Sequence, residues 1–392
     1  MTPCAKRIGI ELGRSLTCAF FCLAMAACDE ESSAQSPAND LPSPGTRIEA
    51  LLTPAGDAFA LALEPRMFEF PRDHGPHREF RHEWWYLTGH LDADGGARFG
   101  FELTFFRYAL GTAVQPAASD SAWRAHQIYV AHFAITDVAR ASFHFAERRE
   151  RAALQLAGAQ TTPLHVWLQD WFLESDGSTW RLSADDPAYG LQLTLTAASG
   201  PVLNGEGGLS RKSAERGAAS YYYSIPLLTA RGEVRRGTER HEVRGSAWLD
   251  REWGSGALAS DQEGWDWFAL QLADGSALMY YALRKRGGAR DPFSAGTWVE
   301  ANGRARPLGK ADVEIDILDR WHSPRGGSYP ARWRLRVPTL SLAIELVPVL
   351  ADQELGTTPR YWEGAVDMDG ERAGQRLTGR GYVELTGYAQ SR

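Results

Sequence analysis

The chain has 392 residues, a length typical of two domains. Its 42 basic and 49 acidic residues give a formal net charge of -7, so the composition provides no basic surface for nucleic acid. Hydrophobic residues make up 44% and charged residues 23%, which excludes a chain that is disordered throughout. The 14 Trp, 13 Tyr and 16 Phe residues predict aromatic-lined cores or cavities.

Residues 1–27 resemble a bacterial export signal. Three basic residues precede an apolar run from Leu16 to Ala27, which is too short to cross a bilayer as a mature helix. The run ends at Met25-Ala26-Ala27-Cys28, which resembles the lipobox of bacterial lipoproteins. We therefore expect Cys28 to be acylated and to anchor the protein to a membrane on the periplasmic side of the cell envelope. Ordinary signal-peptide cleavage, with Cys28 incidental, is the alternative.

The segment after the signal is predicted to be a linker over residues 28–65. Ser, Pro, Ala and acidic residues dominate it with little periodicity as far as Pro54. All four cysteines lie in the first 28 residues. The remaining chain can therefore form neither a disulfide framework nor a cysteine-ligated metal site.

Alternating residues predict a mainly β protein. Between Phe99 and Phe105, large apolar residues alternate with Gly100, Glu102 and Thr104, and residues 191–196, 313–317 and 332–337 alternate in the same way. Such patterns are typical of half-buried antiparallel strands. The best helix candidate is Ala146 to Leu156, although its apolar residues form no full stripe. Because closed sheets hide their edges, we predict sandwiches or barrels.

Five Asx-Gly pairs are predicted to be hairpin turns. They are Asp94-Gly95, Asp176-Gly177, Asp274-Gly275, Asn302-Gly303 and Asp369-Gly370.

Two aromatic segments suggest an internal duplication. Trp84-Trp85-Tyr86-Leu87 leads to a strand ending at Arg107, and Trp265-Asp266-Trp267-Phe268 leads to one ending at Arg284. The separation is 181 residues at the front (265 minus 84) and 177 at the back (284 minus 107). This near-constant offset predicts two related barrels. We place the domains at 66–232 and 233–392, with the boundary in the Gly-rich and charged patch that begins at residue 232.

Eight short motifs, four of which contain Trp, occur in a fixed order between about Phe68 and Tyr388. They are Asp73-His74-Gly75-Pro76-His77, Glu83-Trp84-Trp85-Tyr86, Ser210-Arg211-Lys212, Tyr221 to Ser224, Trp248 to Gly254, Gly264 to Phe268, Tyr361-Trp362-Glu363-Gly364 and Gly381 to Tyr388. This set resembles the carotenoid 1,2-hydratase and AttH-type lipocalin-like family, often labelled predicted secreted hydrolases. The resemblance implies two tandem lipocalin-like (calycin) antiparallel β-barrels. It also implies cofactor-independent chemistry, because members hydrate isolated double bonds of acyclic carotenoids.

One position departs from this family pattern. Carotenoid hydratases carry histidine in an Asp-x-x-Trp motif where this chain has Arg251. An arginine cannot exchange a proton near neutral pH. The departure points away from a carotenoid substrate and towards the uncharacterised lipoprotein branch of the family.

Hydration of an unactivated alkene requires particular side chains. A protonated carboxylic acid must donate a proton to carbon, a second group must steer or deprotonate water, and π faces must stabilise the cation. Four carboxyl groups lie beside Trp and are the catalytic candidates: Asp250, Glu252, Asp266 and Glu363. Asp250 and Asp266 are the preferred acids. The alternative is that these carboxylates form structural salt bridges with arginines such as Arg107, Arg251 and Arg284.

A second set of residues is predicted to bind the ligand. It comprises Asp73, His74, His77, Glu83, Trp84, Trp253, Trp265, Trp267 and Trp362. We expect the functional members of both sets to face one cavity.

Other chemistries find less support in the sequence. His74, His77 and His82 could bind a divalent metal, but no His-Glu-x-x-His spacing occurs and we predict no metal. No Gly-x-Ser-x-Gly nucleophile motif, phosphate loop or dinucleotide fingerprint is found, so we predict no cofactor.

Three functions stay open from the sequence. The first is hydratase-like, lyase or isomerase chemistry on an elongated apolar molecule such as an isoprenoid or a fatty chain. The second is a non-catalytic envelope lipoprotein that binds or carries an apolar ligand. The third is a secreted hydrolase without a recognisable nucleophile.

Overall fold

The computed structural model describes residues 59–110, 126–256 and 258–389. The predicted signal peptide, Cys28 and most of the predicted linker lie outside the described residues. The end of that linker already packs on the body of the protein, because Ala62 is buried and the Glu64 carbonyl accepts a hydrogen bond from Tyr221. Within the described ranges, no helix has the length and apolarity needed to span a membrane.

The described residues form strands connected by turns, and their helical content is limited to three 3-10 turns of three residues each, at Arg72–His74, Lys310–Asp312 and Pro338–Leu340. The strands are β1 (His82–Ala93), β2 (Arg98–Ala109), β3 (Gln127–Asp137), β4 (Ser142–Arg151), β5 (Ala157–Gln160), β6 (Leu164–Leu168), β7 (Trp171–Ser175), β8 (Thr179–Asp185), β9 (Tyr189–Ala197), β10 (Val202–Leu203), β11 (Leu209–Arg211), β12 (Ala219–Arg236), β13 (Glu239–Gly254), β14 (Gln262–Leu272), β15 (Ala277–Lys285), β16 (Ala295–Val299), β17 (Ala305–Gly309), β18 (Glu314–His322), β19 (Ser328–Val337), β20 (Leu342–Pro348), β21 (Glu354–Leu355), β22 (Tyr361–Arg372) and β23 (Gln375–Leu385). The predicted mainly β class is confirmed. The helix candidate from Ala146 to Leu156 is wrong, because half of it continues β4 beside β3.

Two antiparallel sheets contain these strands. The first has the order β4-β3-β2-β1-β13-β12-β9-β8-β7-β6-β5, and the second has the order β17-β16-β15-β14-β23-β22-β20-β19-β18. In each sheet the strand that comes first in the chain lies between the second and the last in chain order: β1 pairs with β2 and β13, and β14 pairs with β15 and β23. The two aromatic-led hairpins therefore occupy equivalent positions, as the internal repeat predicted, in two lipocalin-like β-barrel sheets.

The first sheet curls until β4, at one edge, meets the strands near the other edge through side chains; the amide of Gln169, between β6 and β7, donates to Glu150 on β4 at 2.7 Å. His144 on β4 lies 2.7 Å from Asp186, which follows β8, and Arg148 donates to the carbonyl of Asp185. The sheet includes β12 and β13, so it ends at Gly254, and residue 232 lies inside β12. The second sheet begins at Gln262.

Packing of the two sheets buries both faces of the central strands. In β1, Trp85, Leu87 and Leu91 join the core of the first sheet, while the alternate residues face the second sheet. The expectation that β2 is half-buried is therefore wrong, because Glu102 is also fully buried. In β9 the predicted alternation holds, because its polar residues are exposed.

Four of the five predicted Asx-Gly turns connect paired strands. Asp369-Gly370 instead lies within β22, and the turn that follows is Ala373-Gly374. Both turn residues have positive φ angles, 50° and 75°, as a two-residue type I′ hairpin requires. Gly370 is needed for close packing, since a Cβ atom there would lie 2.1 Å from the Ala343 carbonyl oxygen.

Candidate functional site between the two sheets

Two rows of side chains face each other where the sheets pack. In the first sheet, directly paired positions on β3, β2, β1, β13 and β12 carry His132, Thr104, Tyr86, Asp250 and Ser224. In the second sheet, paired positions on β15, β14, β23 and β22 carry Tyr281, Trp267, Glu384 and Glu363. Strand alternation directs each row to one face of its sheet. The rows meet at Tyr86, whose hydroxyl donates to Glu363 and whose ring meets Trp267 edge to face at 4.9 Å.

Five carboxyl groups lie in or beside these rows and are called here the inter-sheet carboxyl cluster. They are Glu102, Asp250, Glu252, Glu363 and Glu384. Among the described residues, only Glu252 of this cluster forms an ion pair; its partner is Lys212, at 3.1 Å. Buried carboxyl groups without a cation favour their neutral form, which is the form that can donate a proton.

Asp250 has the environment expected of a general acid. It is 3% exposed and accepts hydrogen bonds from Tyr222, from Ser224 at 2.5 Å and from the Trp248 indole at 2.6 Å. Burial raises the pKa of Asp250 to about 7, although the three donors act in the opposite direction. The carboxyl group is therefore close to half protonated at neutral pH, where acid catalysis is most effective.

Aromatic rings surround the Asp250 and Tyr222 pair. The Trp267 indole donates to the Tyr222 hydroxyl at 3.1 Å, and the Trp267 ring lies edge to face with Trp248 at 6.4 Å. Together with Tyr86, these rings offer π faces within a buried site. Such faces stabilise a positive charge without neutralising a nearby acid.

Glu363 is the second buried acid. It is 1% exposed, accepts a hydrogen bond from the Tyr86 hydroxyl and is in hydrogen-bond contact with the Tyr361 hydroxyl. Burial, followed by the charges of Glu102 and Glu384, raises the pKa of Glu363 well above its ordinary value. Glu363 and Glu384 occupy directly opposite positions on β22 and β23, so both cannot be ionised cheaply.

The other two unpaired carboxyl groups complete the cluster. Glu102 is fully buried, and neither of its oxygens forms a hydrogen bond of normal geometry with a described residue. Burial raises the pKa of Glu102 well above its ordinary value. Glu384 is only partly buried, and burial raises its pKa to about 7.

Lys212 is the cation of the site. Its ammonium group lies 4.2 Å from the ring centre of Tyr281 and bonds Ser210 at 3.1 Å. Burial acts to lower the pKa of Lys212, but Glu252 outweighs it and the pKa is raised. Lys212 therefore stays charged beside Glu252 and Asp250.

The two ends of the interface differ. At one end the sheets are joined by ion pairs between Arg98 and Asp367 and between Arg380 and Asp92, both at 2.7 Å. At the other end, where β1 and β14 begin, the partly exposed rings of Trp84, Phe106 and Trp265 border the cluster.

The predicted site residues fall into three places. Asp250, Glu252, Glu363, Trp84, Trp265 and Trp267 lie together between the sheets. Asp73, His74, His77, Glu83 and Trp253 lie on the opposite, inner side of the first sheet. Asp266 and Trp362 lie on the inner side of the second sheet.

The first-sheet group is a buried ion cluster. Glu83 binds the guanidinium groups of Arg107 and Arg251, and all three side chains are 0% exposed. Burial acts to raise the pKa of Glu83, but the two arginines hold it well below its ordinary range. His77 lies 3.1 Å from Asp73 and its ring stacks on Trp253 at 3.8 Å. These contacts give the group a structural role.

His74 belongs to the same group. Its Nδ1 atom lies 2.6 Å from the Tyr223 hydroxyl. Burial, reinforced by Arg251, lowers the pKa of His74 to about 4, so its ring is neutral at pH 7. Within the described ranges, no group of three or more His, Cys, Asp or Glu residues is arranged to hold a metal ion.

Asp266 is tied to the second sheet. It accepts hydrogen bonds from Arg284 at 2.9 Å and from Tyr388 at 3.0 Å. Trp362 packs in the second core and donates to the Ala351 carbonyl at 2.9 Å. Asp266 therefore forms the structural salt bridge with arginine that was the alternative to a catalytic role, while Asp250 and Glu363 have no arginine partner among the described residues.

Several residues of the site were not assigned a role from the sequence. They are Tyr86, Glu102, Lys212, Tyr222, Tyr361 and Glu384. All except Glu102 lie within the eight short motifs, but a polar residue that alternates with apolar ones is ordinarily taken to face solvent. The sequence signal for a buried second face was the presence of aromatic residues on that face of a strand, such as Trp84 and Tyr86 on β1.

Comparisons with known proteins agree with this architecture. A family model described as AttH-like matches residues 61–388. The crystal structure of an AttH protein from Nitrosomonas europaea superposes with a TM-score of 0.74 at 35% identity, covering 84% of this chain and all of that one.

Two curated relatives carry names of water-adding or water-removing enzymes. The dehydratase asqC of Emericella nidulans is 26% identical over 220 residues, or 53% of this chain and 61% of that protein. The acyclic carotenoid 1,2-hydratase of Cereibacter sphaeroides is 38% identical over 100 residues, or 24% of this chain and 34% of that protein. The alignments thus span less than two thirds of either relative.

Proposed function

The chain belongs to the AttH-like family, and on that premise we propose that it adds water to, or removes water from, an isolated double bond of an elongated apolar molecule. The substrate class is an isoprenoid or fatty chain, and the reaction needs no cofactor. The observation that carries the proposal is Asp250, a buried carboxyl group with no cationic partner among the described residues and a pKa of about 7. Related isomerase chemistry would use the same acid.

In the proposed first step, Asp250 transfers its proton to one alkene carbon. The other alkene carbon becomes a cation, which is tertiary in an isoprenoid chain, and Asp250 becomes a carboxylate. Tyr222, which donates to Asp250 and accepts from Trp267, holds the carboxyl group in position and stabilises the new negative charge. The faces of Trp267 and Tyr86 stabilise the cation.

In the second step, water adds to the cation. The bound water must lose one proton, and a nearby carboxylate of the cluster accepts it, so alkene and water give an alcohol with no other reactant consumed. Dehydration is the reverse sequence: the acid protonates the hydroxyl group, water leaves, and a neighbouring carbon loses a proton. The pair of Glu363 and the partly exposed Glu384 fills this role: the two lie directly opposite each other, the member that is ionised accepts the proton, and neither is held by a cation among the described residues.

The border of the site supports an apolar substrate. Trp84, Phe106 and Trp265 are partly exposed at the end without cross-sheet ion pairs. An apolar chain that enters at this end covers these rings and excludes water from the acids. Such exclusion keeps the carboxyl groups neutral until the proton is transferred.

The competing proposal is a carrier without turnover. A carrier needs no protonated acid, and its carboxylates would be tied to arginines. Glu83 and Asp266 match that description, whereas Asp250, Glu363 and Glu102 do not. We therefore favour the enzyme, held at the periplasmic side of the envelope by the lipid on Cys28.

The test is incubation of the purified protein with a panel of acyclic isoprenoids and unsaturated fatty chains in oxygen-18 water. Mass spectrometry should detect one labelled oxygen and two hydrogens gained per double bond, or water lost from the corresponding tertiary alcohol. Apolar molecules extracted from the freshly purified protein identify the candidates to include. An extracted molecule that binds and is returned unlabelled and unchanged would support the carrier instead.

A further inference from the structure

A chain of polar groups connects the buried Glu363 with the protein surface. Glu147 on β4 is 18% exposed, and its Oε2 atom lies 3.3 Å from Nε2 of His132. Nδ1 of His132, which is itself 1% exposed, lies 2.7 Å from the Tyr361 hydroxyl. Tyr361 and Glu363 are two residues apart on β22, so their side chains share one face of the strand and are in hydrogen-bond contact. Each group can give or take a proton, and each lies beside the next.

From this geometry we infer that Tyr361, His132 and Glu147 form a proton relay that exchanges the carboxyl proton of Glu363 with solvent. The relay deepens the proposed function, on which its role in turnover rests. A hydration site in which one carboxyl group gives a proton to carbon and another takes one from water must restore both groups before the next cycle.

The direction of the hydrogen bonds along the chain follows from the tautomer of His132. Tyr361 has one hydrogen and cannot donate to His132 and to Glu363 at once. With the N–H of His132 directed from Nε2 to Glu147, Nδ1 accepts from Tyr361, and the Tyr361 oxygen accepts from protonated Glu363. A proton then leaves Glu363 when two hydrogens shift, one from Glu363 to Tyr361 and one from Tyr361 to His132. The product is an ionised Glu363 and a charged His132.

Glu147 stabilises the charged His132. Burial acts to raise the pKa of Glu147, but hydrogen bonds from His132 and Arg149 lower it to about 2, so it stays ionised. The imidazolium therefore forms beside a permanent negative charge and passes its Nε2 proton to solvent next to Glu147. Glu147 acts here through His132 and is a positioning residue.

Other neighbours of Glu363 do not provide this route. Burial, followed by the charges of Glu102 and Glu384, raises the pKa of Glu363 and keeps it protonated. The Tyr86 hydroxyl also donates to Glu363, but the neighbour of its ring is the indole of Trp267, which accepts no proton. Tyr86 and Tyr361 are thus a matched pair on the same carboxyl group, and only Tyr361 contacts a histidine.

The relay can be tested without a substrate by infrared spectroscopy of the whole protein during rapid mixing into D2O. The band of a protonated carboxyl group is assigned to Glu363 by its loss in Glu363→Gln. We expect its exchange to slow by at least about tenfold in His132→Gln and in Tyr361→Phe. Glutamine is polar and can accept a hydrogen bond from Tyr361, but it cannot carry a proton. Glu147→Gln should slow exchange less, because it removes only the stabilising charge.

Two variants serve as controls and should exchange as fast as the wild type. Tyr86→Phe removes the other hydroxyl on Glu363, and His144→Gln removes a second histidine–carboxylate contact that involves β4. Three results would each overturn the relay. They are exchange at the wild-type rate in the folded Tyr361→Phe variant, slower exchange in the Tyr86→Phe variant alone, and the absence of a band for protonated Glu363. If His132→Gln fails to fold, Tyr361→Phe and Glu147→Gln decide. Hydration by the wild type together with unaltered exchange in the His132→Gln and Tyr361→Phe variants would refute the relay alone. Slowed exchange in these variants without any hydration by the wild type would refute the proposed function alone.

Discussion

Asp250 and Arg251 are adjacent in the chain, yet their side chains leave β13 on opposite faces. Asp250 faces the second sheet and bonds Tyr222, whereas Arg251 binds Glu83 inside the first sheet and stacks over Trp85 at 3.9 Å. Successive residues of a strand alternate between its faces, so this separation is a geometric necessity. The arginine that departs from the family's histidine therefore alters the ion cluster of the first core and leaves the proposed acid unchanged.

Replacing Asp250 with Asn should abolish hydration while the protein stays folded. Asn keeps the shape of the side chain and an oxygen for Ser224 and Trp248, but it cannot deliver a proton. Product formation by mass spectrometry and thermal unfolding are the two measurements. Asp266→Asn is the matched control, and it should lower stability by about 3 kcal/mol, because it leaves Arg284 without its charged partner, and retain activity. Activity retained in folded Asp250→Asn would remove the acid assignment.

Asp250 should also impose a pH dependence on stability. Its pKa is about 7 in the folded protein, against 3.8 for an ordinary aspartate. Between these values the unfolded chain releases the proton and the folded protein keeps it, so this contribution to the free energy of unfolding falls as pH rises from about 4 to about 7. The total loss is about 4 kcal/mol at most, at about 1.4 kcal/mol per pKa unit. In urea unfolding across this pH range, the free energy of unfolding should fall less steeply for Asp250→Asn than for the wild type. Parallel curves of free energy against pH would contradict the raised pKa of Asp250.

Replacing Glu83 with Gln should destabilise the protein strongly. Glu83 is the anion for Arg107 and Arg251, which are both fully buried, so its loss leaves two guanidinium charges in the first core without a counter-ion. The expected cost is about 3–5 kcal/mol in urea unfolding. Glu314→Gln, which removes the exposed partner of Arg336, should cost less than about 1 kcal/mol. Equal effects of the two substitutions would mean that the buried cluster is not structural.

A methyl group at Gly100 should force the two sheets apart. A Cβ atom there would lie 2.7 Å from the Ala365 methyl carbon on β22 and 3.1 Å from the Tyr382 hydroxyl. Gly100→Ala should cost about 1–3 kcal/mol through overpacking. The double variant Gly100→Ala, Ala365→Gly exchanges the two methyl positions and should recover most of that stability. No recovery in the double-mutant cycle would mean that these residues do not meet.

Anchoring depends on residues outside the described ranges and is a prediction from the sequence. Cys28→Ser should move the protein from membrane fractions to soluble ones, because each buried CH₂ of an acyl chain contributes about 0.8 kcal/mol to membrane association. Mass spectrometry of the mature N-terminus checks the acylation directly. A wild-type protein that is already soluble and unacylated would refute the lipoprotein assignment.

The sequence by itself determined the fold class, most of the hairpins and the duplication. These features depend on local patterns: alternation in residues 191–196, Asx-Gly turns such as Asp94-Gly95, and the two aromatic segments at Trp84 and Trp265. Each is encoded within a few neighbouring residues, so no knowledge of distant contacts was required. The exception was Asp369-Gly370, where close packing against β20 and not a turn explains the glycine.

Only the tertiary structure decided which carboxyl groups are acids and which are structural. Asp250 and Asp266 look alike in the sequence, since each has Trp nearby, but Asp266 meets Arg284 on the inner side of its sheet while Asp250 faces the other sheet. Glu102 reads as a solvent-facing residue of an alternating strand and is buried because the second sheet covers it. The pKa of a carboxyl group depends on burial and on charges that are brought close from distant parts of the chain, so it follows from the packing of the two sheets.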